Sequence, residues 1–360
     1  MVLRALSLGN PSSVHHEGRA ARAAVEAARS EIAALVGVES GQVTFTSGGT
    51  EAAAMALRPM SDDEVLFIGA AEHAAVRTGG SFARDRIVTV PVDASGRVDV
   101  NEIALAVGAR GLLPGHVHVA VQIANNETGV INAPDVFAAL RAEGWTVTAD
   151  AVQALGKIAL EPYLPHVGFL IFSGHKIGGP KGTGALVIRK DACSAPRPLI
   201  AGGGQEKGMR GGTENVPGIA GFGAAAALAR RALATMPAVA ARRSDFELAL
   251  RRLAPDVVIF GAEAQRLPNT SLFAIPGLRA ETAVIAFDLD GVAVSSGAAC
   301  SSGKVGRSHV LAAMGVDEDV ATGAIRVSLG PDTAAADIEK CLNSLERQLG
   351  RLRTRRDSAA

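Results

Sequence analysis

The chain has 360 residues, 48% of them hydrophobic and 20% charged, with Lys+Arg and Asp+Glu equal at 36 each. That balance describes an ordinary globular protein long enough for one large α/β domain and a smaller one, and its neutrality argues against nucleic acid or an anionic membrane as partner. Three cysteines without C-x-x-C spacing (Cys193, Cys300, Cys341) argue against a disulfide framework or a dedicated zinc site and fit a reducing cytoplasm; no apolar run approaches membrane-spanning length, and no signal peptide is read.

In chain order, a turn cluster at Gly9, Asn10, Pro11, Ser12 and Ser13 precedes a helix predicted over about 19–36. Its apolar face is Val25, Ala28, Ile32, Leu35 and Val36, and Gly37 is its stop. The run Val43–Thr46 reads as a strand, after which Ser47, Gly48, Gly49 and Thr50 lead into helix-prone residues 51–57. A strand, small residues and a helix N-terminus make an anion pocket, because free backbone N–H groups and the helix dipole converge there. Strands near 64–68, 87–92, 118–123 and 145–149 then alternate with helices near 101–107 and 134–143. Such alternation implies a mostly parallel sheet with ligands beyond the carboxyl ends of its strands. Thr50, Asn126, Asp150, Gln153, Ser173 and His175 all fall at such ends.

The next apolar run, 167–172, ends at Ser173, Gly174, His175 and Lys176, and a Gly-rich turn separates it from a second run, 185–188. A lysine at a strand tip among small polar residues can form an imine and hold a carbonyl cofactor such as pyridoxal phosphate. Taken alone it is more simply a solvated surface lysine. An Ala-rich stretch, 216–253, is predicted as one long helix leaving the large domain. Strands follow near 257–260, 271–275, 292–296 and 325–329, with a helix over 280–289 and a closing helix that aligns Ile338, Leu342, Leu345 and Leu349. The expected organisation is a large domain over 9–220, a connecting helix over 221–255, a small C-terminal domain over 256–350 and a basic tail over 351–360.

Taken together, these residues resemble the cysteine desulfurases of the class-V aminotransferase family, with the fold-type I pyridoxal-phosphate architecture. The resemblance covers roughly 9–345. It is carried by the 9–13 turn, Thr46 to Glu51, Glu72-His73, Asn125 to Gly129, Asp150 to Gln153, Ser173 to Gly182, Arg210 to Thr213, Ser295 to Ser302 and Ile325 to Gly330. It implies an α/β fold: a large domain with a mostly parallel central sheet flanked by helices, plus a smaller α+β domain. It also implies pyridoxal 5'-phosphate as cofactor, a homodimer, and conversion of L-cysteine to L-alanine with the sulfur left on Cys300 as a persulfide.

By the same resemblance, Lys176 carries the cofactor and acts as base on the substrate Cα, while Asp150 pairs with the pyridinium nitrogen and Gln153 donates to the ring oxygen. Gly49, Thr50, Ser173 and His175 bind the phosphate, and Thr213 reaches it from the neighbouring subunit. Asn126 lies beside the ring and His73 stacks on its face. Arg326 clamps the substrate carboxylate, as its planar fork suits, with Asn10 and Asn126 on the substrate side. A free cysteine is more often inert and buried. Cys300, however, lies among Ser, Gly and Ala and is followed by Gly303, Lys304 and Gly306, which suggests a thiol able to ionise and travel. No intrinsic metal is expected, with Cys300 available as a transient iron–sulfur ligand. The spacing from Cys300 to Ser308 resembles the longer-loop subgroup, whose sulfur acceptors are iron–sulfur scaffolds and tRNA-thiolation carriers.

The sequence departs from the family at its start, where members carry a further strand and an Asn-Ala-Thr-Thr turn near the substrate; a late start or an open substrate side is expected. Thr128 replaces the usual Ile, Ala298 the usual Ser, and Arg307 a common Pro. Three activities stay open at this stage: a desulfurase, a selenocysteine lyase or other class-V enzyme, and an inactive homologue that only binds or dimerises.

Overall fold

Seven short runs rich in Val, Ile, Leu and Phe build one sheet: β1 (Val43–Thr46), β2 (Val65–Gly69), β3 (Ile87–Val90), β4 (Val117–Gln122), β5 (Thr146–Asp150), β6 (Phe169–Ser173) and β7 (Gly184–Ile188). The computed structural model describes residues 1–297 and 307–357. These residues divide into two units, the first formed by Met1–Pro91, Val98–Ala124 and Asn132–Leu233. The second takes Val92–Arg97, Asn125–Ile131 and Ala234–Ala360.

In the first unit the strand order is β1-β7-β6-β5-β4-β2-β3. Every pairing is parallel except the two that β7 makes, with β6 and with β1. Strands β1, β4, β6 and β7 are buried along their whole length, as expected where helices cover both faces of a parallel sheet. On one face the helix Gly49–Ala56 lays Ala52, Ala53 and Met55 against Leu66, Ile68, Phe169, Ile171 and Leu186. The helix His16–Val36 ends at Gly37 in the left-handed conformation (φ 87°), and packs on the helix Val216–Ala232. That crossing is close: a Cβ on Gly223 would lie 2.5 Å from the Cα of Ala28. The effect of this stacking is to put the carboxyl ends of β1, β2, β4, β5 and β6 on one edge of the sheet, where βα turns are free to carry function.

The second unit holds a four-stranded antiparallel sheet, β8 (Val258–Ile259), β9 (Thr270–Ala274), β10 (Ser295–Ser296) and β11 (Ile325–Ser328), in the order β10-β11-β9-β8. Its core joins Phe273 of β9 and Ile325 of β11 with Phe246, Leu250, Phe287, Cys341, Leu345 and Leu349, drawn from the helices Met236–Leu253, Ala280–Leu289 and Ala335–Asp357.

One element differs from expectation. The stretch read as a single helix over 216–253 is two helices, Val216–Ala232 and Met236–Leu253, joined by a 3-10 turn at Leu233–Thr235. Pro237 sits in the first turn of the second helix. A proline there lacks the N–H and crowds the carbonyl four residues back, so a continuous helix cannot pass. The strand expected at 292–296 is reduced to Ser295–Ser296. Among the described residues no helix is long and apolar enough to cross a membrane.

Candidate active site

The edge formed by the carboxyl ends of β4, β5 and β6 gathers most of the polar residues singled out in the sequence. At the end of β5, Asp150 is buried and its Oδ1 accepts the N–H of Val152 at 2.9 Å. Burial pushes its carboxyl up to about 6, while the Val152 N–H and the charge of Lys176 pull the other way. At the end of the neighbouring β6, the chain turns through a 3-10 segment, Gly174–Ile177, closed by Gly178 at φ 83°. Ser173 Oγ lies 2.9 Å from His175 Nδ1, and the exposed Lys176 follows. Burial, then the charges of Lys176 and Lys181, hold His175 below its ordinary range.

Across the sheet, Gly49 and Thr50 begin the helix Gly49–Ala56, whose first N–H groups have no partner within the helix. Two nearby glycines are demanded by close approach. A Cβ on Gly184 would lie 2.5 Å from the backbone of Gly48, and one on Gly174 would lie 2.5 Å from Thr183 Oγ1. Glu51, in the first turn of that helix, accepts the N–H of Ser47 at 2.8 Å and pairs with Arg210 at 2.8 Å. Arg210 lies three residues before Thr213, which is exposed.

His73 caps the short helix Ala74–Arg77, its Nδ1 accepting the N–H of Ala75 at 3.1 Å. Nδ1 therefore carries no proton, and the ring's N–H is at Nε2. Burial and then the charge of Lys176 keep His73 below its ordinary range. Glu72 beside it is fully buried; its Oε1 accepts the N–H of Gln122 at 2.9 Å, and Gln122 Nε2 donates to the Ala71 carbonyl at 2.9 Å. Burial drives the Glu72 carboxyl well above the usual range, and nearby Asp150 adds to it. This carboxyl ties the 71–73 turn to β4, a role the sequence did not disclose. Gln153 is half-buried, with its carbonyl accepting from Lys157 at 2.7 Å. Asn10 is exposed, its Oδ1 accepting the N–H of Ser12 at 2.9 Å.

The remaining described candidates lie in the second unit. Arg326, on β11, donates from Nη1 to the Asn126 carbonyl at 2.7 Å, while its buried Nε has no partner among the described residues. Asn126 itself is buried in a tight turn. There Asn125 Oδ1 accepts the N–H groups of Glu127 and Thr128 and the Thr128 hydroxyl. Thr128, unusual at this position, is thus fully buried and satisfied, since its Oγ1 also accepts the N–H of Val130. Glu127 accepts the hydroxyl of Ser308 at 2.5 Å. Burial pushes its carboxyl up to about 7, against the pull of Ser308 and of the Arg326 charge. Neither Glu127 nor Ser308 had a role in the sequence reading. Arg307 pairs with Glu318 at 3.4 Å on the surface. Cys300 and Ala298 lie outside the described residues. Burial pushes the other two thiols, Cys193 and Cys341, up to about 12 and about 11, so both stay protonated.

The sequence profile named Aminotransferase class-V matches residues 4–341. The chain belongs to that family. The class-V family uses pyridoxal phosphate, and the seven-stranded, mostly parallel sheet with a small antiparallel one is the fold-type I architecture. A cysteine desulfurase of Cereibacter sphaeroides is 40% identical over 356 residues, covering 96% of this chain and 89% of its own. The X-ray structure of a NifS-like protein from Rickettsia africae superposes with a TM-score of 0.85 at 33% identity, covering 96% of this chain and 93% of that one. A structure described as SspA in complex with cysteine gives 0.74 at 26% identity, covering 92% and 96%. The chain is thus an enzyme homologous to cysteine desulfurases along nearly its whole length.

Proposed function

We propose that this class-V enzyme is a cysteine desulfurase that moves the sulfur of L-cysteine onto Cys300. One observation carries the reading: an amine, Lys176, and a buried carboxylate, Asp150, close enough for the lysine charge to act on the acid, stand at adjacent strand ends. The donor set suits pyridoxal phosphate. A carboxylate for the ring nitrogen, an amine for the carbonyl carbon, and hydroxyl, imidazole and helix-terminal N–H groups for the phosphate lie on one sheet edge. A Cβ on Gly49 would meet Val152 at 3.1 Å and Ser173 at 3.4 Å, so the bare backbone lets the start of this helix pack closely against the turns that follow β5 and β6.

When bound, the cofactor supplies an electron sink for the charge left at the substrate Cα. Lys176 would hold it, and the same Nζ, when free, would take the Cα proton. Asp150 would answer the ring nitrogen's positive charge. Burial leaves this carboxyl costly to ionise alone, so a cationic partner is its natural complement. Gly49, Thr50, Ser173 and His175 would hold the phosphate, Gln153 would donate to the ring oxygen, and His73, with its proton on Nε2, would pack against the ring. Arg326, with its spare Nε donor, and Asn126 and Asn10 bind the substrate. The thiolate of Cys300 attacks the substrate sulfur: the sulfur–Cβ bond breaks, a sulfur–sulfur bond forms, and protons from the medium and Lys176 complete alanine. The enzyme is a homodimer in which Thr213 serves the neighbouring site, and the persulfide passes to an acceptor protein of the iron–sulfur scaffold or tRNA-thiolation class.

Incubation of the full chain with L-cysteine and pyridoxal phosphate tests the assignment, with alanine and protein-bound persulfide measured together. Equal first-turnover yields of the two are expected. Lys176→Ala should remove both products and the visible band of bound cofactor. Cys300→Ala should keep that band and lose the persulfide; unimpaired sulfur release by this variant would sink the role of Cys300.

A further inference from the structure

Residues 205–213 are held to the first unit by two separate latches. Glu206 is buried, and its two oxygens accept from Nη1 and Nη2 of Arg29 at 2.7 and 2.8 Å. The same carboxylate accepts the N–H of Phe45, on β1, at 2.8 Å. Arg29 is fixed in turn by donating to the Val43 carbonyl at 2.8 Å and lying 4.7 Å over the Phe45 ring. The second latch is Arg210 on Glu51, whose other oxygen takes the N–H of Ser47. Burial would raise the Glu51 carboxyl, but Arg210 and Ser47 outweigh it and hold it below its ordinary range. At the first latch and just after it, Glu206 and Lys207 adopt φ values of 47° and 56°. Side-chain-bearing residues stay in that left-handed region only where surrounding contacts over-determine it. Just beyond the second latch stands Thr213, exposed and without a hydrogen bond among the described residues.

None of these four charged residues enters the chemistry proposed for Lys176. What they share is a connection. Arg210 grips the helix whose first residues, Gly49 and Thr50, are assigned to this subunit's own phosphate, and its own loop carries the threonine assigned to the neighbour's. We propose that Glu206 and Arg210 are positioning residues that link the two phosphate sites of a dimer, the Glu51–Arg210 pair making occupation of the helix N-terminus in one subunit fix the loop that presents Thr213 to the other. The inference rests on the pyridoxal-phosphate reading above. Because coupling between binding sites is reciprocal, filling either site favours filling the second.

The test titrates the full-length apoprotein with pyridoxal phosphate and, separately, with pyridoxal, which lacks the phosphate, following the absorbance of lysine-bound cofactor. Loss of a charge-assisted contact predicts that Arg210→Gln and Thr213→Ala each weaken pyridoxal phosphate by about tenfold, with no comparable change for pyridoxal. The double variant should be no worse than Thr213→Ala alone. Glu206→Gln should shift binding the same way, and Arg210→Lys should recover part of the loss. Mixed dimers decide the direction. With Lys176→Ala in one subunit and Arg210→Gln in the other, the single working site draws its threonine from an intact loop and keeps the affinity of a dimer changed at one Lys176 alone. With both changes in one subunit, the working site in the other is weakened. Equal weakening of both ligands marks a merely structural role and overturns the inference, as does a defect that stays within the altered subunit. Arg210→Gln binding like the unaltered protein overturns it too. An unaltered protein that takes up no pyridoxal phosphate overturns the cofactor reading, and this inference with it.

Discussion

Asp150 and Glu127 are carboxyls whose burial sets their behaviour, and each makes a pH-dependent expectation. The Asp150 carboxyl is raised from 3.8 to about 6 in the folded chain. A folded state that holds its proton more tightly than the unfolded chain gains stability at low pH and loses it as pH rises through the folded value. The apoprotein should therefore lose up to about 3 kcal/mol from this group between about pH 4 and pH 7. Asp150→Asn should flatten that slope, which thermal melts of the apoprotein at the two pH values would show; an unchanged slope would count against the shift. Glu127, raised to about 7 and facing the charge of Arg326, predicts a different effect. Above that pH its negative charge offsets the arginine, so Glu127→Gln should lower KM for L-cysteine by roughly threefold at about pH 8 and hardly at all at about pH 6. Steady-state kinetics at both pH values separate this from a general loss of activity.

At the scale of elements, glycines in the loops around β6 and β7 separate steric necessity from backbone preference. Gly184 begins β7 opposite both Ser173 and Thr46, and an added Cβ there would strike the backbone of Gly48 and Phe172 at 2.5–2.7 Å. Gly178, at φ 83°, has nothing within 4 Å of the Cβ position. Gly184→Ala should cost about 3 kcal/mol or more, because backbone cannot step aside, and Gly178→Ala only about 1–2 kcal/mol for the left-handed conformation. Urea midpoints of the two variants would rank them; the reverse order would contradict the packing described.

The elements also show what the sequence could disclose. Val43–Thr46 and Ala280–Leu289 have the limits read from the sequence, because short apolar or periodic runs there are bounded by turn and charge signals. The Ala-rich stretch misled because alanine favours helix everywhere, and one proline at position 237 outweighed that sum. At the candidate site, Asp150, Ser173, His175 and Lys176 were legible as polar residues at strand ends. Glu206 was not, since its meaning lies in an arginine 177 residues away. Nor were Glu72 and Glu127, whose roles depend on a backbone N–H of β4 and on Ser308. Long-range pairs of this kind leave no periodic trace in a chain.

For the whole molecule, equal numbers of acidic and basic residues put the isoelectric point near 7.1. Net charge is then close to zero at working pH, where repulsion between molecules is weakest. Light scattering at low salt should give the least repulsive interaction between molecules near pH 7 and stronger repulsion about 2 pH units to either side. A monotonic trend across that range would mean that a local patch, rather than net charge, governs contact between molecules.

Among the described residues strand β1 has a single partner in its sheet, β7, which the ribosome delivers about 140 residues later. Until that hairpin-less match is made, the segment after the first long helix stays an open template with no edge to complete, and the buried grip of Arg29 on Glu206 cannot form. Refolding of the intact chain should therefore be slow and sensitive to protein concentration, because closing so large a loop precedes any reward for closing it. Released nascent chains shorter than about 190 residues should aggregate where slightly longer ones begin to resist a protease, placing the decisive step of assembly in the middle of synthesis rather than at its end.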